Sequence, residues 1–131
     1  MKTLMKANAD RLWKTLMASA EIGKFETGLR RLALTDEDCE MRNLFVQWAQ
    51  QSGYGVSIDG VGNIFVRREG KKSDLPPVVM GSHLDTRICG GRFDGILGVL
   101  SGLEVLRSLD DAGVETRRPV EVVNWTDEEG A

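Results

Sequence analysis

The spacing of apolar residues changes several times along this chain. Leu12, Trp13, Leu16, Met17 and Ala20 recur at helical intervals and predict a first helix. A loop containing Gly23 and Gly28 follows. Thr35-Asp-Glu-Asp38 reads as a helix start, with Thr35 as N-cap and acids in the first turn. Met41, Leu44, Phe45, Trp48 and Ala49 mark one apolar face of that second helix, and Gly53 is its stop. The period then shortens. Val56 and Ile58 alternate with Ser57 and Asp59, Gly60 to Asn63 supplies a turn, and Ile64 to Val66 returns, which predicts a hairpin. After a polar, proline-containing connection, the short run Val78-Val-Met80 predicts a buried strand. Ile96, Val99, Leu100, Leu103 and Leu106 predict a third helix, in which Gly98 and Gly102 permit close packing on a sheet. Pro119 opens a last strand, Val120 to Trp125.

Helix, helix, hairpin, strand, helix, strand is the order of an α/β sandwich with a mixed sheet. In such sheets ligand groups gather at the C-terminal ends of strands. His83 follows one strand, and Glu128 and Glu129 follow another, so the two can converge.

Composition narrows the function. With 131 residues, the chain holds one domain with room for a core. A net charge of −3 gives no electrostatic case for nucleic acid or an anionic membrane. The basic clusters Arg67-Arg68 and Lys71-Lys72 read as a solvated turn. No apolar run reaches membrane-spanning length, and the first residues lack the apolar stretch of a signal peptide. Two distant cysteines, Cys39 and Cys89, point to free thiols in a cytoplasmic setting. Cys89 lies between His83 and Asp94, where a small packing role fits better than metal ligation.

The candidate chemistry lies in Gly81-Ser-His-Leu-Asp-Thr86, Gly90-Gly-Arg-Phe-Asp-Gly95 and Asp127-Glu-Glu-Gly130. A metal-binding imidazole needs its second nitrogen held by a carboxylate or carbonyl. In a strand-like segment Asp85 points to the side of His83 and can orient it. Asp94 sits among glycines that allow close approach to an ion, and its two oxygens can bridge two cations. Two divalent ions roughly 3.5–4 Å apart can share a water and lower its pKa. Of Glu128 and Glu129, one can ligate metal while the other acts as general base. Taken singly, each motif also has a bland reading: a satisfied structural histidine, or a solvated acidic tail. Neither a nucleophile elbow nor a glycine-rich phosphate cradle is present.

The three motifs closely resemble the metal-dependent N-carbamoyl-L-amino acid amidohydrolases, with β-ureidopropionases and allantoate amidohydrolases, in the wider M20-type metallopeptidase group. Arg30-Arg-Leu-Ala-Leu-Thr35 and Asp59-Gly-Val-Gly-Asn63 fit too, so the resemblance runs from about Arg11 to Ala131. It implies a three-layer α/β/α sandwich with a mixed sheet, zinc-peptidase-like. Residues 1–131 would form the N-terminal part of the catalytic domain, stopping before a lid and dimerisation domain. It implies two divalent ions, zinc, manganese, cobalt or nickel. His83, Asp94 and Glu129 would be metal ligands, with Asp94 bridging. Glu128 would be the general base and Asp85 the partner of His83. It implies a cis or strained Asp94–Gly95 linkage. The substrate would be an N-carbamoyl amino acid or another small ureido compound, and the complete enzyme a homodimer. An aminoacylase or aminopeptidase of the same group is the alternative.

His83 is the only histidine, whereas the family carries two further metal-binding histidines. Each ion would have two protein ligands, short of the three usual for catalytic zinc. The 131 residues alone are therefore expected to be inactive, and a non-catalytic truncated product is the third reading. That reading expects exposed apolar surface where further elements would pack.

Overall fold

A computed structural model describes residues 4–131. Among the described residues there are three helices: α1 (Ala9–Ser19), α2 (Asp36–Gln51) and α3 (Ile96–Asp111). A two-stranded hairpin joins the first two helices, β1 (Lys24–Phe25) and β2 (Gly28–Leu29). The sequence pattern predicts only a loop there. The main sheet holds β3 (Gly55–Ile58), β4 (Ile64–Arg68), β5 (Val78–Ser82) and β6 (Val120–Asn124), in the order β3-β4-β6-β5. The β3, β4 and β6 neighbours are antiparallel, and β5 runs parallel to β6. The expected mixed α/β sheet is therefore present.

One set of alternating strand positions meets the helices. Ile64, Val66, Val120 and Val122 share a single apolar cluster with Leu16 of α1, Met41, Phe45 and Ala49 of α2, and Leu100, Leu103 and Leu106 of α3. The α3 glycines let this helix lie close to the sheet. A Cβ at Gly98 would come within 2.7 Å of the Ser82 Cβ, and one at Gly102 within 2.8 Å of Val122.

Two expectations change. β5 is an edge strand, and Val78 and Val79 are about half exposed (56% and 49%), because no further strand pairs with it among the described residues. Trp13 falls outside the core; its ring lies against Phe93, with centroids 6.0 Å apart. The α2 start is as read, with the Thr35 hydroxyl accepting from the Asp38 N–H at 3.3 Å.

Polar contacts dock α1 on α3. Arg11 donates to both Glu104 oxygens, from Nε at 2.8 Å and from Nη2 at 2.7 Å. The buried Glu104 also accepts from the Asn8 N–H and the Ser108 hydroxyl. Burial pushes this carboxyl up, but the four donated bonds outweigh it and hold it below the ordinary glutamate value. Its stabilisation is therefore full above the unfolded pKa and is lost as pH falls through the lower, folded one. Glu104→Ala should cost about 3 kcal/mol at neutral pH, since it strands several donors. The variant should also show a shallower loss of stability on acidification. Urea melts from pH 7 to pH 3 check both; equal stability of variant and parent at pH 7 would remove the cluster as a docking determinant.

Candidate metal centre

The parallel pair β5–β6 delivers two segments to the same sheet end. The Trp125 N–H donates to the Ser82 carbonyl at 2.9 Å, which continues the pairing one step past the strands. Asn124, buried at the end of β6, accepts the Leu84 N–H at 2.8 Å. This fixes the backbone immediately after His83.

His83 is 6% exposed. Its Nδ1 lies 2.9 Å from the Asp85 main-chain carbonyl and 3.4 Å from Asp85 Oδ1. The closest partner is thus the carbonyl rather than the carboxylate that the sequence suggested. In either case Nδ1 is occupied, which leaves Nε2 facing outward. The carboxylate of Asp85 has a second contact: Oδ2 accepts the Glu129 N–H at 3.2 Å and so ties the His83 segment to the acidic turn.

The acidic turn follows β6. Its entry is held by the Asp59–Asn63 loop. Asp59 accepts from Val61 N, Asn63 N and Asn63 Nδ2, and Asn63 Oδ1 then accepts the Thr126 N–H at 2.8 Å. Arg42 donates to the Gly62 carbonyl and reaches the Thr126 hydroxyl, which adds α2 to the same support. Asp127 takes a positive φ of 53°, a conformation Asp tolerates. The two adjacent glutamates after it both face the histidine. Glu128 Oε2 lies 3.3 Å from His83 Nε2, and one Glu129 oxygen lies within the histidine's reach.

Asp94 lies at the end of the glycine-rich loop, with Gly95 between it and the start of α3. Every peptide bond among the described residues is trans, so the expected cis Asp94–Gly95 linkage is absent. The unusual backbone sits instead at Gly95, with φ 71° and ψ −56°. Glycine suits the position on steric grounds as well: a Cβ there would lie 2.3–2.5 Å from three atoms of the His83 ring. Gly95 thus packs directly on the imidazole.

His83, Asp94 and Glu129 each offer one ligand atom, and these three atoms lie within 4.8 Å of one another. The Glu129 carboxyl is held above its ordinary value, first by burial and then by the hydrogen bond and negative charge of Asp94. Two carboxylates crowded beside an imidazole are destabilised by mutual repulsion, and a divalent cation relieves it. The nitrogen-and-oxygen donor set fits such an ion. Cys89 is exposed and is not part of the cluster. Sequence reasoning assigned no role to the residues that hold the site, Asn124, Asn63 and Thr126, although Asn63 lies in a motif that carries the resemblance and Asn124 closes an apolar strand as a polar residue.

A mixed-sheet α/β domain with a histidine–carboxylate cluster at its strand ends defines a class compatible with hydrolases that use divalent metal ions. The chain belongs to peptidase family M28, whose model matches residues 63–131. It is similar to an N-carbamoyl-L-amino-acid amidohydrolase of Rhizobium meliloti, at 50% identity over 127 residues, covering 96% of this chain and 30% of the relative. A relative of the same activity name from Geobacillus stearothermophilus is 44% identical over 93% of this chain and 30% of its own length. The crystal structure of a hydantoinase/carbamoylase family amidase from Burkholderia multivorans superimposes with a TM-score of 0.97 at 53% identity, covering 98% of this chain and 32% of that one. The relatives carry the name the sequence motifs suggested, although the matching family model is M28 rather than the M20-type group. The chain spans about 30% of the length of the curated relatives it matches.

Proposed function

We propose that these residues form the N-terminal part of the catalytic domain of a metal-dependent hydrolase that cleaves a ureido C–N bond. The most fitting substrate is an N-carbamoyl-L-amino acid. The observation that carries this reading is the cluster of His83, Asp94 and Glu129, with Glu128 Oε2 3.3 Å from the histidine nitrogen that faces it. Hydrolysis of a carbamoyl amino acid consumes one water and yields the amino acid, carbon dioxide and ammonia.

His83, Asp94 and Glu129 would hold the ions, with Asp94 bridging, and zinc, manganese, cobalt and nickel all suit the donors. When bound, such ions polarise the carbonyl and acidify water. Glu128 is exposed, more so than Glu129, and is not engaged by a backbone donor, so it is free to move a proton. It takes the proton from the attacking water at a carboxylate oxygen and hands it to the departing nitrogen. Asp85 acts through its carbonyl and carboxylate, which keep Nδ1 of His83 occupied and Glu129 in place.

The exposed edge of β5 and the half-exposed Val79 are where the remaining layers of a longer protein would pack, and a homodimer would form outside these residues. Cytoplasmic residence is supported by the two free, exposed cysteines, and among the described residues no helix is long and apolar enough to cross a membrane.

The test is ammonia release from N-carbamoyl-L-amino acids. The enzyme would be this chain continued with the C-terminal portion of the Rhizobium meliloti relative. Metal-dependent ammonia release is expected. The family model's peptidase name favours a second reading, aminopeptidase or aminoacylase action. Turnover of dipeptides or N-acetyl amino acids without ammonia from carbamoyl substrates would establish it instead.

A further inference from the structure

Arg31 is the largest side chain that is completely buried, with 0% exposure. Its guanidinium makes no ion pair among the described residues. It donates instead to three main-chain carbonyls: Leu84 from Nε, and Ser19 and Ile22 from Nη1, each at 2.9 Å. Nη2 is buried with no partner. Burial draws the guanidinium down to about 10, against the pull of Asp38 and Asp85, so it remains charged at neutral pH. A buried cation with no ion-pair partner is unfavourable relative to an apolar residue of similar volume. Packing alone gives no reason to keep it.

Its contacts supply one. Leu84 lies between His83 and Asp85, so the Nε bond grips the carbonyl between the two. The backbone of Arg31 grips the next residue: its N–H donates to the Thr86 hydroxyl at 2.8 Å, and its carbonyl accepts the Thr86 N–H at 2.7 Å. Asp85 Oδ1 is likewise buried without a hydrogen bond. The positive charge of Arg31 acts on Asp85 across the interior, and Asp85 in turn holds His83 through its carbonyl and Glu129 through Oδ2. The far end of the guanidinium is anchored at the end of α1 and the turn after it, through Ser19 and Ile22.

We propose that Arg31 is the positioning residue of the metal centre: it clamps residues 84–86 to the end of α1 and so sets the angle at which His83 and Asp85 present themselves. This rests on the reading of His83, Asp94 and Glu129 as metal ligands. Arg31 touches neither substrate nor ion, and its effect reaches the site through Leu84 and Thr86.

The experiment is a cobalt(II) titration of this chain continued with the C-terminal portion of the Rhizobium meliloti relative, reading both the dissociation constant and the visible ligand-field spectrum, with thermal melts alongside. Arg31→Lys keeps the charge but loses the fork. It is expected to weaken cobalt binding about 10–100-fold, as loss of an outer ligand-orienting group does, and to change the band shape. Val66→Ala, a core truncation remote from the site, should lower the melting temperature and leave affinity and spectrum as in the parent. Thr86→Val keeps Arg31 and removes one grip; it should weaken binding in the same direction, and Thr86→Ser should restore it. If the Arg31 variant does not fold, the Thr86 pair carries the test. A folded Arg31→Lys, or failing that a Thr86→Val, with the parent's affinity and spectrum would overturn the positioning role. A parent chain that binds no cobalt, or binds it equally after His83→Ala, would sink the metal reading itself and this inference with it.

Discussion

Glu128→Gln, placed in a chain continued to the length of its relatives, is expected to lose roughly 10²–10⁴ of its turnover while zinc affinity stays within about twofold of the parent. The two effects separate because the two glutamates differ in position. Glu129 contributes to the cluster with His83 and Asp94, whereas Glu128 lies beside it, 3.3 Å from His83 Nε2 and more exposed to solvent. Glutamine keeps the size and polarity of the side chain and removes its ability to take a proton. A water near the cluster would keep its place and lose its base. The loss should appear in kcat, since the proton moves only in the transition state. Calorimetric zinc titration and steady-state ammonia release, on the same preparation, check both halves. Retained turnover would reassign the base. Lost zinc binding would make Glu128 a ligand instead.

The parts of this arrangement that were legible in the sequence are those that local chemistry determines. Thr35 followed by three acids specifies a helix start whatever surrounds it, and the cap forms as read. The alternation at Val56 to Val66 specifies a hairpin, and β3 and β4 pair over that stretch. The strand-end position of His83 and of the two glutamates follows from the apolar runs before them. Non-local effects were harder to read. Val78-Val-Met80 has the composition of a central strand, yet β5 lies at an edge, because neighbours in a sheet are chosen by the whole chain. Trp13 fits the helical period but stacks on Phe93, 80 positions away. Arg31 carries no local sign of burial. Its partners are carbonyls, which every residue has, so nothing in their identity marks them. The cis linkage expected at Asp94–Gly95 came from the resemblance alone, and a positive φ at Gly95 stands in its place.

Gly95→Ala should damage the metal centre severely. Two penalties coincide there. The backbone sits at φ 71° and ψ −56°, outside the small left-handed region open to alanine, which costs about 1–3 kcal/mol by itself. The new Cβ would also fall 2.3–2.5 Å from Cε1, Nδ1 and Nε2 of His83. The imidazole has little freedom to yield, because Nδ1 is held 2.9 Å from the Asp85 carbonyl and the residue is buried. Relief must come from tilting the ring off that carbonyl or from pushing α3 and Asp94 outward. Either movement pulls His83 and Asp94 apart, so the cluster of three donor atoms opens. Zinc affinity is expected to fall by more than about 100-fold, beyond the loss typical of outer-sphere changes, together with a measurable loss of stability in urea. Gly91→Ala is the matched comparison. It lies in the same loop, its φ is not positive, and its Cβ would meet nothing closer than 3.9 Å. That variant should bind zinc and unfold as the parent does. Were Gly95→Ala to bind zinc as tightly as Gly91→Ala, the contact between the α3 N-terminus and the imidazole would not be what sets the ligand geometry. The cluster would then owe its shape to the strand ends alone.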